Sequence, residues 1–104
     1  MEDTTRTDES VTERVQKLID LTASLSRIFD QENLALSEKR PGDMGPLQAE
    51  KARLAAAYAQ CIRTIETGRA ALCGVDSELL FELRTQTADF EARAARQRKL
   101  LAIP

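Results

Sequence analysis

Apolar side chains recur at alternating spacings of four and three along most of this chain, and one short Pro-Gly segment breaks the series in two. The first series runs Val11, Val15, Leu18, Leu25, Phe29 and Leu36, with Thr22 and Glu32 in the slots an apolar residue would otherwise fill. It resumes as Leu47, Leu54, Tyr58, Cys61, Ile65 and Leu72, passing through Lys51 and Gly68. A period of about three and a half residues marks helices that pack along a seam. Ile19, Leu21, Ile28 and Leu34 widen the first stripe beyond two positions per heptad, which points to a bundle rather than a bare two-stranded coil. Ala52, Ala55, Ala56, Ala57 and Ala59 surround the middle of the second stripe, where small side chains let another helix come close.

The break between the two series is Arg40-Pro41-Gly42-Asp43. Pro41 cannot continue a helix, and it pushes residue 40 out of the helical region. Gly42 allows a positive φ there, Asp43 can cap the helix that follows, and Pro46 is tolerated in a first turn. So short a connection places antiparallel neighbours side by side, and neither half could form a core alone, so the segment reads as a hairpin tip and not a domain linker. A second boundary falls at Cys73-Gly74-Val75-Asp76: Gly74 suits the position after a helix ending at Leu72, Asp76 suits an N-cap, and Val75 and Leu80 have the spacing of a hydrophobic staple. At the start, Ser10 and Glu13 form a capping-box pattern after a polar tail. The third helix carries Leu79, Leu80, Leu83 and Phe90 on one face and ends among Arg93, Arg96, Arg98 and Lys99. Those cations complement the helix dipole or would meet an acidic partner. The expected architecture is all-α: an antiparallel, coiled-coil-like hairpin joined by a third helix into a three-helix bundle. Residues 1–9 form a disordered tail and residues 10–104 one helical domain, with helices over about 11–39, 45–72 and 77–101.

Composition narrows the function. There is no His and no Trp, only one Tyr and three Phe, and the net charge is −2. The balance argues against nucleic-acid binding, which requires a basic excess. No apolar run is long enough to span a membrane, and the acidic start lacks the layout of a signal peptide, so the expected location is cytoplasmic. With both on one helix, Cys61 and Cys73 would lie roughly 18 Å apart, too far for a disulfide, whose Cα atoms lie within about 7 Å. Cys61 reads as a small hydrophobe on the apolar stripe, and neither cysteine has metal-ligand spacing. No phosphate-binding, metal or nucleophile motif is present and histidine is missing, so neither catalysis nor a cofactor is expected. Asp30 and Glu32, two residues apart, face different directions and read as a solvated face. The small all-helical chorismate mutases are an enzymatic alternative, because they too use three helices and buried cations; here the available ones are Arg14, Arg27, Lys51 and Arg53, with Lys51 at a seam position.

The stretch from Gln31 to Gln60 resembles the central signature of the FlgN-type flagellar export chaperones. The matching residues are Glu32, Asn33, Ala35 and Leu36 at the end of the first helix, then Leu47, Lys51 and Leu54 entering the second. The ladder Leu18, Leu21, Leu25 and Phe29 leads into it, so the likeness covers roughly Val15 to Ile65. The resemblance implies a cytosolic chaperone that holds the C-terminal helical segments of the hook–filament junction proteins (FlgK and FlgL type) and hands them to the flagellar export apparatus. It also implies that the C-terminal part of the chain binds the client. The third helix does not visibly match the family, so Leu79, Leu80, Leu83 and Phe90 are candidates by position and chemistry; the alternative is that these four simply pack on the hairpin. A helical adaptor or a self-associating scaffold, with two chains sharing their seams as a homodimer, is the rival reading.

Overall fold

The computed structural model describes residues 11–68 and 74–102. They form three α-helices: α1 (Val11–Ser37), α2 (Gln48–Thr67) and α3 (Ser77–Ala102), with a 3-10 segment, Pro41–Leu47, between the first two. No strand occurs among the described residues, as the spacing predicted.

α1 is the central element. α2 and α3 both pack along it, with far less contact between themselves. Two apolar clusters lie end to end. Near the start of α1, Val15 and Ile19 meet Ile65 of α2, Val75, and Leu79, Leu80 and Leu83 of α3. Farther along, Leu25 and Ile28 meet Leu54 and Tyr58 of α2 and Phe90 of α3. α2 therefore runs antiparallel to α1, and α3 runs parallel to it. Stacking two clusters along one helix makes the molecule long, 55 × 25 × 18 Å.

The burial pattern follows the heptad reading closely on α1, where Val15, Leu18, Leu25 and the two polar fillers, Thr22 and Glu32, are all buried. Thr22 is accommodated because its hydroxyl donates to the Leu18 carbonyl at 2.7 Å. Leu34 was expected to widen the stripe but is 55 % exposed. It lies near the end of α1, where neither neighbour covers it.

The hairpin tip differs from expectation in its mechanism. α1 ends at Ser37, not Lys39, and Lys39 itself takes the left-handed conformation, with φ 60°. The Arg40 N–H donates to the Ala35 carbonyl at 2.7 Å, and the Lys39 N–H to the Leu36 carbonyl at 3.0 Å. This is a Schellman closure with lysine in the place glycine usually takes. Gly42 consequently has no positive φ. Asp43 does not cap α2; its carboxylate pairs with Arg40 at 3.2 Å, and α2 continues from the 3-10 turn without a side-chain cap. Pro46 sits in that turn, where no i−4 hydrogen bond is required. The described part of α2 stops at Thr67, where the Gly68 N–H donates to the Ile65 carbonyl at 3.1 Å. The predicted end at Leu72, Cys73, the N-terminal tail and the Ser10 cap lie outside the described residues. Gly74 shows no positive φ. Asp76 caps α3 as expected: its carboxylate accepts the Glu78 N–H at 3.1 Å. Val75, Leu79 and Leu80 share one cluster, as the staple requires.

Candidate functional site

Glu32 has no exposed surface at all. The reading of Asp30 and Glu32 as a solvated face is therefore corrected for Glu32. The seam places residue 32 where Leu25 and Leu36 point, and that geometry overrides the usual preference of a carboxylate for water. Burial is possible because three donors converge on it. Lys51 Nζ lies 2.8 Å from Oε1, Gln97 Nε2 donates to the same oxygen at 2.8 Å, and Gln48 Nε2 donates to Oε2. One carboxylate of α1 thus ties together the start of α2 and the end of α3. Burial, the largest single influence, pushes the Glu32 carboxyl up, but the hydrogen bonds from Lys51, Gln97 and Gln48 and the lysine charge together outweigh it and hold the carboxyl below the usual range.

Asn33 extends the network. Its amide donates to the Arg93 carbonyl at 3.1 Å, and its oxygen accepts from Gln97 at 3.3 Å. Asp30 remains half exposed, and its carboxylate lies 2.8 Å from Arg93 Nε. Lys51 also stands 4.4 Å over the Phe29 ring, a cation–π contact. Phe29 in turn meets Phe90 edge-to-face at 5.1 Å, and Tyr58 lies 5.8 Å from Phe90.

The seven signature residues therefore gather at the hairpin tip. Glu32 and Lys51 form the buried ion pair, Asn33 binds α3, Ala35 and Leu36 supply the carbonyls that close α1, and Leu47 and Leu54 pack against Leu25 and Ile28. Gln48 and Gln97 complete the network and were missed from sequence. Gln97 falls seven residues after Phe90 and fourteen after Leu83, the heptad continuation of the α3 stripe, and that spacing was the available signal.

The four candidate client residues line the side of α3 that faces α1. Leu79, Leu80 and Leu83 lie against Val15, Ile19 and Val75, while Phe90 lies against Leu25, Ile28 and Leu54. All four are only half buried, and the buried residue of α3 is the polar Gln97. The third helix is thus held by shallow apolar contacts along its length and by a polar clasp near its end.

Of the cations considered for anion chemistry, Lys51 is neutralised by Glu32, Arg27 turns to Ser24 at 3.0 Å, and Arg53 pairs with Glu50. Arg14 lines a small concavity with Lys17, Gln60, Cys61 and Thr64. Cys61 is a free, half-buried thiol there. Among the described residues, no group of three His, Cys, Asp or Glu side chains could hold a metal, and no helix is long and apolar enough to cross a membrane. No family model matches the chain, and no curated protein or solved structure is similar to it.

Proposed function

We propose that this protein is a helix-holding chaperone of the FlgN type, acting in the cytoplasm on the C-terminal segments of the hook–filament junction proteins and delivering them to the flagellar export apparatus. The observation that carries the proposal is the incomplete coverage of α3. Leu79, Leu80, Leu83 and Phe90 each keep part of their apolar surface in contact with water. An amphipathic client segment laid beside α3 would bury what α1 leaves uncovered, which is the helix-in-groove mode of recognition.

The polar tip supports the same reading. Glu32, Lys51, Gln48 and Gln97 satisfy one another, which favours a structural latch over a reaction centre. They fix the turn end of the hairpin, while the other end of α3 is held by apolar contacts around Val15 and Val75.

The test is binding of purified protein to peptides from junction-protein C-termini, compared with Leu83→Glu and Phe90→Glu variants. Both substitutions are expected to weaken binding by about tenfold or more while circular dichroism shows the hairpin still helical. Unchanged affinity in both variants would place the client elsewhere and remove the basis for the proposal.

A further inference from the structure

The face of α3 that points away from α1 has a charge order that the fold does not use. Glu78, Phe81, Glu82, Ala92, Arg96 and Lys99 recur at helical spacing along that face, and all six are exposed. Its first half is acidic and its second half basic. No ion pair engages Glu78, Glu82, Arg96 or Lys99 among the described residues; Glu82 only accepts a hydrogen bond from Gln86, at 3.1 Å. Phe81 is 66 % exposed, the most exposed large apolar side chain among the described residues. Near the other end of the same face lies a shallow concavity of about 550 Å³, lined by Ala92, Ala95, Arg96, Lys99 and Leu100.

We propose that this outer face of α3 pairs antiparallel with the same face of a second copy, giving a two-fold symmetric dimer. In an antiparallel pairing centred between Ala88 and Asp89, Glu78 of each copy lies opposite Lys99 of the other, and Phe81 opposite Arg96. Phe81 then enters the concavity floored by Ala92 and Ala95, with its ring also beside the Arg96 guanidinium. Glu82 falls opposite Ala95, within reach of Arg96 and Lys99. Thr85 meets Ala92, and Asp89 meets Ala88; the two Asp89 carboxylates face each other at the two-fold axis, a like-charge contact that the Glu78–Lys99 and Glu82–Arg96 pairs on either side must offset. Each favourable contact occurs twice, because an isologous interface repeats it. A parallel pairing would instead set acid against acid and base against base. The antiparallel charge order selects a second copy over a membrane or a nucleic acid, which would require a face basic throughout. The surface lies opposite Leu80, Leu83 and Phe90, so the inference is independent of the chaperone reading.

Analytical ultracentrifugation of the full chain tests it. The wild type is expected to dimerise, more weakly at high salt as the ion pairs are screened. Glu78→Lys with Glu82→Lys makes both ends of the face basic, and Arg96→Glu with Lys99→Glu makes both ends acidic. Each double variant alone is expected to raise the dimer dissociation constant by about tenfold or more, with wild-type helicity because all four positions are exposed. An equimolar mixture of the two is expected to recover a heterodimer, since antiparallel pairing then satisfies both ends. Phe81→Ala should weaken the wild-type dimer to a similar degree. A wild-type chain that stays monomeric at hundreds of micromolar would overturn the inference. So would a dimer indifferent to these charge reversals, or a mixture that fails to associate.

Discussion

The Glu32–Lys51 pair carries the largest consequence of any single contact. Removing one partner of a buried pair leaves an uncompensated charge, so Lys51→Met is expected to lower unfolding stability by about 3 kcal/mol, measured by urea titration. The double variant Glu32→Gln with Lys51→Met should recover a large part of that loss, because neither residue then carries a charge. The pair also makes stability depend on acid. The Glu32 carboxyl is depressed below its ordinary value of 4.5, so the unfolded chain takes up the proton first as pH falls. The contribution is therefore fully present well above pH 4.5 and is lost as pH drops below that value through the lower folded-state pKa; the Glu32→Gln variant should lack this part of the acid dependence. Ser26 gives a simpler case. Its buried hydroxyl oxygen has no hydrogen-bond partner, so Ser26→Ala is expected to stabilise by about 1 kcal/mol, read as a rise in Tm of roughly 4–8 °C. At this scale the sequence was only partly legible. Spacing put residue 32 on the seam, but charge type argued for the surface. The donors that resolve the conflict lie on other helices, where no local pattern connects them to Glu32.

The ends of the helices separate what local chemistry predicts from what it does not. Asp76 was legible as a cap because the group it binds, the Glu78 N–H, is two residues away. Asp76→Ala is expected to cost about 1 kcal/mol, with faster hydrogen exchange confined at first to the opening turn of α3. The end of α1 was not legible, because glycine is the usual left-handed residue and Gly42 offered itself. The closure forms earlier, at Lys39, where the carbonyls of Ala35 and Leu36 are waiting, and the proline-rich turn then winds as a 3-10 segment instead of an open loop. Lys39→Gly should relieve the left-handed strain and stabilise by about 1 kcal/mol without altering helicity. α3 shows a third case. Its existence and its inward stripe were readable from Leu79, Leu80, Leu83 and Phe90, but how deeply they are buried depends on α1 and α2. Those helices barely reach around the stripe, so it stays half covered.

For the molecule as a whole, one long helix carries two others that touch each other little, and the hydrogen-bonded polar tip lies at one end. This arrangement explains why the fold class was plain from periodicity alone while the working surface was not: a seam is written in every heptad, but the fraction of a seam left uncovered is a property of three helices together. The proposed client surface lies on the inner side of α3 and the proposed dimer surface on its outer side, so the two uses would not compete. Under the proposed function, the partly covered apolar surface of α3 is buried by a client helix. Isothermal titration calorimetry of the protein with a junction-protein C-terminal peptide, repeated at several temperatures, tests it most directly. Saturable binding of about micromolar affinity or tighter, with a negative heat-capacity change from apolar burial, is expected. Absence of binding, or binding whose enthalpy does not vary with temperature, would contradict it.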